Sequence, residues 1–332
     1  MKYFLTNGIT VRAFVVCMLM AAAMQASAQA YPSKPVRILV GTPAGGPGDL
    51  VARGSAQALS QALGQSYIVE NRVGADGLIA GEAAVRSAPD GYTLYVADSF
   101  AISLNPVIRA KMPYDPEKDL APIIHAGTLA SLILAHPSVP ANNLRELLDM
   151  AKAKPGTITF GTFGLASSAH LYVEYLKNER NIQFLNVPYK AASLAFPAML
   201  AGEVNVVLFA IGPAVAQVKA GKAKALAVNA PGRSPLMPEV GTMKENGVDI
   251  DIQTWFGLFA PAATPRDIII RANTEVAKGL INNPEAKAKF LTSQGMDTAA
   301  PAGTSADAFA KFLKADRANY AEVVRVTKAR IE

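Results

Sequence analysis

Cysteine is almost missing from this sequence: the single one, Cys17, sits in an apolar run near the N-terminus. Val15-Val16 precede it, where a lipidated cysteine would need a small residue, so it is expected to leave with that segment. The remaining chain then holds no thiol. That excludes cysteine nucleophiles, thiolate metal sites and disulfides, and leaves the core alone to hold the fold. Histidine is scarce as well: His125, His136 and His170 are scattered without metal-ligand spacing. No H-E-x-x-H pair and no G-x-S-x-G elbow occurs, and the one phosphate-loop-like pair, Gly221-Lys222, runs on into Ala223. These gaps predict no metal, no cofactor and no catalytic residue. No run of about twenty apolar residues exists, and residues 13–23 are too few to span a membrane. Lysines and arginines are dispersed rather than striped, so nucleic acid is not an expected partner.

What the N-terminus does contain is an address. Lys2 and Arg12 lead into the apolar run, and Ala26-Ser27-Ala28-Gln29-Ala30 offers small residues for cleavage. That is the order of a secretory signal peptide, so residues 1–30 are expected to be removed and the mature chain to work in the periplasm. Losing Lys2 and Arg12 lowers the net charge from +6 to +4. Such a mildly cationic surface can collect anions or simply keep a protein soluble. The roughly three hundred residues left suit two domains better than one core.

The mature chain alternates strand and helix patterns. Residues 37–40 read as a strand, 49–63 as a helix, 66–70 as a strand, 82–87 as helical, and 93–97 as a strand after the turn Pro89-Asp90-Gly91. This alternation predicts an α/β fold of parallel β-α-β units, with ligands beyond the carboxyl ends of the strands. Two strand–glycine loop–helix units stand out. One runs through Gly41-Thr42-Pro43-Ala44-Gly45-Gly46-Pro47-Gly48-Asp49. The other runs through Gly161-Thr162-Phe163-Gly164-Leu165-Ala166-Ser167-Ser168-Ala169-His170.

Backbone N–H groups in such loops, backed by the positive end of the next helix, can hold an anion. The same glycines also serve plain turns. Thr162, Ser167 and Ser168 offer hydroxyls to a carboxylate, or cap their helix. Asp49 most simply caps the first helix, and His170 either packs locally or steadies the second loop. Tyr189 follows Pro188 at another strand end, where it could wall a cleft. Two such units more than a hundred residues apart predict two lobes that share one cleft. Trp255 lies in residues 250–260, read as a second crossing between lobes, and amphipathic helices over 265–281 and 305–327 complete the chain.

A set of ordered motifs then carries a resemblance over essentially the whole mature chain. It begins with Tyr31-Pro32-Ser33-Lys34-Pro35-Val36-Arg37, Pro43-x-Gly45-Gly46-x-x-Asp49, Val69-Glu70-Asn71-Arg72 and Ala88-Pro89-Asp90-Gly91-Tyr92-Thr93-Leu94. It continues with Asn105-Pro106, Pro113-Tyr114-Asp115-Pro116, Gly161-Thr162-x-Gly164, Ser168-x-His170-Leu171 and Val187-Pro188-Tyr189-Lys190. Lys219-Ala220-Gly221-Lys222 and Trp255-Phe256-Gly257-Leu258-x-Ala260-Pro261 complete it. In these motifs the chain resembles the extracytoplasmic solute receptors of the tripartite tricarboxylate transporter type, the Bug family.

The resemblance implies a type II periplasmic-binding-protein fold. Its two α/β lobes would comprise residues 31–128 with 255–332, and residues 129–254, joined by two crossing strands with hinges near 128–131 and 253–256. It implies a carboxylate clamp on Pro43, Gly45, Gly46 and Asp49 of the first lobe, and on Thr162, Gly164, Ser167, Ser168 and His170 of the second. Ala44, Phe163 and Tyr189 stand beside these and join the expected ligand-binding set.

Departures from the family pattern bear on the ligand. Gly41-Thr42-Pro43-Ala44 stands where the family commonly has Pro-aromatic-x-Pro, so an aromatic wall is lost. Small residues common near 98–100 become Asp98-Ser99-Phe100, the usual glycine after Tyr189-Lys190 is Ala191, and Ala210 replaces a frequent acidic residue. Phe100 is expected to reshape the pocket and Asp98 to favour a ligand with a cationic or donor group, with Ser99 and Ala210 beside them.

The expectation is a monomeric receptor that performs no chemistry. It would close over a small carboxylate (a dicarboxylate, an aromatic acid or an amino acid) and deliver it to membrane permease subunits of the tripartite tricarboxylate type. A receptor that presents its closed form to a membrane sensor kinase would look the same in sequence. An exported enzyme on this fold is disfavoured by the missing nucleophile–base pair.

Overall fold

Val36–Val40, a run of β-branched and aliphatic residues, forms the first strand, β1, of a computed structural model that describes residues 31–164, 167–250 and 252–331. The expected signal peptide lies outside the described residues. Helix α1 (Pro47–Leu63), strand β2 (Tyr67–Asn71), helix α2 (Leu78–Val85) and strand β3 (Thr93–Asp98) follow. β1 pairs in parallel with both β2 and β3, which is the expected β-α-β arrangement. Strand β4 (Leu120–Leu129) then leads through Ala130 into β5 (Ser131–Ala135).

A second passage comprises α3 (Leu144–Ala153), β6 (Thr159–Thr162), α4 (Ser168–Arg180), β7 (Leu185–Pro188), α5 (Ala192–Leu200), β8 (Val206–Ala210), α6 (Ile211–Lys219) and β9 (Lys224–Asn229). The chain returns through residues 230–253 to β10 (Thr254–Pro261), α7 (Arg266–Val276), α8 (Pro284–Phe290), the short β11 (Met296–Asp297) and α9 (Ala306–Thr327).

Two sheets result, in the orders β11-β4-β10-β3-β1-β2 and β7-β6-β8-β5-β9. In the first, β10 is antiparallel to its neighbours β3 and β4. In the second, β6 is parallel to β7 and β8, and β5 runs antiparallel between β8 and β9. Each lobe therefore joins a parallel β-α-β half to antiparallel strands at the crossing.

Both faces of each sheet are covered, as the near-continuous apolar strands require. Ile38 and Val40 pack with Val51 and Leu59 of α1 on one face of the first sheet, while Leu39 meets Leu78, Tyr95 and Trp255 on the other. In the second sheet Phe160, Val206 and Leu208 face one way and Leu134, Val207 and Val228 the other. Helix α9 belongs to both lobes: Phe309 and Leu313 join the first-lobe core, and Tyr320 and Val323 pack with Tyr172 and Leu176 of α4. Asn178 of α4 donates through Nδ2 to the carbonyls of Val326 and Thr327.

β1 lies between β2 and β3, and β6 between β7 and β8. At such switch points the connecting segments leave in opposite directions, which opens a crevice outside the carboxyl ends of the strands.

Candidate functional site

The ends of β1, β3 and β6 converge on one cleft of about 240 Å³. Gly41, Thr42 and Pro43 reach it from β1, Asp98 and Phe100 from β3, and Phe163, Gly164 and Ser167 from the loop between β6 and α4. Asp76 and Gly77 before α2, and Ile331 beyond α9, complete the lining.

The first loop is organised from within. Gly45 adopts a φ of +80°, which a side chain would strain. Its N–H donates to Asp49 Oδ2 at 2.9 Å, and the Gly46 N–H donates to the carbonyl of Pro43 at 3.2 Å. Asp49 is buried, and it also accepts Arg53 Nε at 2.7 Å and Asn71 Nδ2 at 2.9 Å. Burial raises its pKa, but these donors outweigh burial and hold the carboxyl below its ordinary value.

Asp49 therefore does not cap α1. The N-cap is Gly46, because Pro47 supplies a helix-ready φ and lacks the N–H that a cap would have to satisfy. Nor does the Asp49 carboxylate line the cleft; it braces the loop that does.

The second loop is capped in the expected way. Ser167 Oγ donates to the carbonyl of Gly164 at 2.8 Å and accepts the N–H of His170 at 3.2 Å. Gly164 has a φ of +101° and nothing within contact of where a Cβ would sit, so the backbone lies open to the cleft. Thr162 Oγ1 donates to Asn186 Oδ1 at 2.6 Å, and Asn186 Nδ2 lies 3.4 Å from His170 Nδ1. Burial lowers the His170 pKa, which favours a neutral ring. Ser167 meets His170 through the backbone N–H and not through the imidazole, so the pair has no nucleophile–base geometry.

Asp98 ends β3 and accepts the N–H of Ala101 at 3.0 Å. Burial, with the charge of Asp76 behind it, pushes its carboxyl up to about 6. Asp76 itself is paired with Arg109, whose Nη2 lies 2.5 Å from Oδ2.

Of the residues singled out in the sequence, Pro43, Asp98, Phe100, Phe163, Gly164 and Ser167 line this cleft. Ala44, Gly45 and Gly46 stand in the first loop, Thr162 at the end of β6, Ser168 and His170 in the first turn of α4, and Tyr189 just after β7. Ser99 is buried and turns away: its Oγ donates to the carbonyl of Gln253 at 2.9 Å, tying β3 to the second crossing. Ala210 pairs with Ser131 at the first crossing and packs toward the first-lobe core. Gly41, Thr42, Asp76, Gly77 and Ile331 line the cleft from outside the expected set: the first two directly precede Pro43, the next two stand in a loop without a strand-end signal, and the last comes from beyond the final helix. Among the described residues no helix is long and apolar enough to cross a membrane.

The chain is similar to known proteins over most of its length. Residues 51–327 match the model of a family described as the tripartite tricarboxylate transporter family receptor. The chain is 31% identical to BugT of Bordetella pertussis over 308 residues, covering 92% of this chain and 93% of that one. A structure of an R. palustris protein with adipate superposes with a TM-score of 0.79 at 27% identity, covering 91% of this chain and 100% of that one. MatC from Rhodopseudomonas palustris with bound malate superposes with a TM-score of 0.75 at 27% identity, covering 89% and 100%.

Proposed function

Because the chain belongs to the tripartite tricarboxylate transporter receptor family, we propose that it is a periplasmic solute receptor. In this reading residues 1–30 direct export, and the monomer encloses a small carboxylate-bearing ligand between its lobes and hands it to permease subunits of the tripartite tricarboxylate type. The observation that carries the reading is the meeting of strand ends from two separate sheets on one cleft of about 240 Å³. That volume lies just under the roughly 300–1,000 Å³ of sites for drug-sized molecules, which suits a small metabolite.

The positive end of α4, presented through Gly164 and the Ser167 cap, favours a carboxylate there. The adipate and malate complexes of the two similar proteins support that choice of ligand class. Closure would exclude water and strengthen charge-assisted hydrogen bonds in a lower dielectric. The hinges for that closure would lie near 128–131, where β4 passes through Ala130 into β5, and near 253–256, where the chain enters β10.

The test is calorimetric titration of the mature chain, stripped of ligand by unfolding and refolding. Dicarboxylates, aromatic acids and amino acids form the panel, and sub-millimolar binding of at least one is expected. Silence across the whole panel would remove the carboxylate reading.

A further inference from the structure

Two carboxylates face the cleft, and only one has a cation. Asp76 is held by Arg109, which also donates through Nε to Asn105 Oδ1 at 2.9 Å, so that guanidinium is committed on two sides. Asp98 accepts backbone N–H groups of the turn after β3, that of Ala101 at 3.0 Å, and among the described residues no lysine or arginine pairs with it. A carboxylate drawn out of water without a counter-charge is costly, either as an ion or through the proton it must take up. A cation brought by the ligand removes that cost.

The second lobe presents the opposite preference, with the capped N-terminus of α4 behind the open backbone of Gly164. Between the two ends the walls are apolar: Phe100 from the first lobe, Phe163 from the second, and Ile331. The cleft thus has a cation-seeking end, an anion-seeking end and an apolar middle.

Resting on the receptor reading above, we infer that the ligand is a zwitterion: an amine-bearing monocarboxylate with a small apolar body, its ammonium on Asp98 and its carboxylate at the loop before α4. A dicarboxylate would set its second anion against Asp98 with Asp76 close by, where like charges repel.

The test compares matched probes on the wild type and on Asp98→Asn. The probes are leucine with its deaminated counterpart isocaproate, and ε-aminocaproate with caproate and adipate, each titrated calorimetrically into ligand-free protein. Asparagine keeps an oxygen for the Ala101 N–H while removing the charge, and circular dichroism confirms that the fold is retained. At least one amine-bearing probe is expected to bind the wild type more tightly than its amine-free partners. Asp98→Asn should weaken that probe about tenfold to a hundredfold, the worth of one charge-assisted hydrogen bond, without weakening the amine-free acids. A wild-type preference for adipate or the amine-free acids, or an unchanged ranking in Asp98→Asn, overturns the zwitterion and leaves the receptor reading standing. Binding of no carboxylate at all overturns both.

Discussion

His125 is 1% exposed, and neither ring nitrogen has a hydrogen-bond partner among the described residues. Trp255, Phe309 and Phe312 stand around it with ring centroids 5.8, 5.5 and 5.0 Å away. Burial among these rings holds its pKa down to about 4. The folded protein therefore keeps the ring neutral while the unfolded chain takes up a proton near pH 6.5. Stability is present in full above that pH and is lost progressively as pH falls toward 4, by about 3 kcal/mol in all. Asp98 acts with the opposite sign: its raised carboxyl gains a proton near pH 6, which favours the folded state over the same window. Only a comparison of variant with parent isolates the histidine. His125→Leu is expected to gain about 2 kcal/mol more over the parent at pH 5 than at pH 8 in urea unfolding. An equal gain at both pH values would show that His125 does not resist protonation.

Among the elements, the loop from β1 to α1 owes its shape to one side chain. Asp49 gathers donors from Gly45, Arg53 and Asn71, the last 22 residues away in sequence. Asp49→Ala removes the buried acceptor of three hydrogen bonds whose donors sit on exposed residues and can turn to water, so unfolding free energy should fall by about 1–2 kcal/mol. Affinity for the best ligand of the panel should weaken several-fold as the loop around Pro43 loosens. Denaturant unfolding and the same titration check both, and parent-like values in the two would show that the loop holds its shape without Asp49. The strand and helix order and both glycine loops were legible in the sequence because periodicity and turn chemistry are local. The direction in which loop side chains point was not, because distant partners set it. Ser99 reads as a cleft wall until Gln253, 154 residues on, is seen to accept its hydroxyl. Asp76 and Ile331 reach the cleft only through the tertiary fold, and nothing beside them in sequence announces it.

For the whole molecule, the decisive feature is that the lobes share a core. Leu104 and Ile108 before β4, and Tyr320 and Val323 of α9, pack in one cluster with Phe160 of β6 and with Tyr172 and Leu176 of α4. The Tyr320 hydroxyl donates to the carbonyl of Gln253 at 2.8 Å and lies 3.2 Å from Ser99 Oγ, and Arg109 pairs with Ile331 as a β-bridge. Chains of this length with two lobes often unfold in stages. Here the unfolding of either lobe alone would expose the shared side chains of the other, at about 25 cal/mol per Å² of apolar surface. The ligand-free protein is therefore expected to melt in one calorimetric transition whose van't Hoff and calorimetric enthalpies agree. A ligand held by both lobes should raise that single transition without splitting it, adding about 2.7 kcal/mol at a hundred times its Kd. Leu176→Ala removes a buried side chain from the shared cluster at a cost of about 2–5 kcal/mol. If the cluster is what couples the lobes, the van't Hoff enthalpy of this variant should fall below the calorimetric one as the lobes begin to melt apart. Two resolved transitions in the parent protein would show that α9 rests on the second lobe without binding its stability to the first.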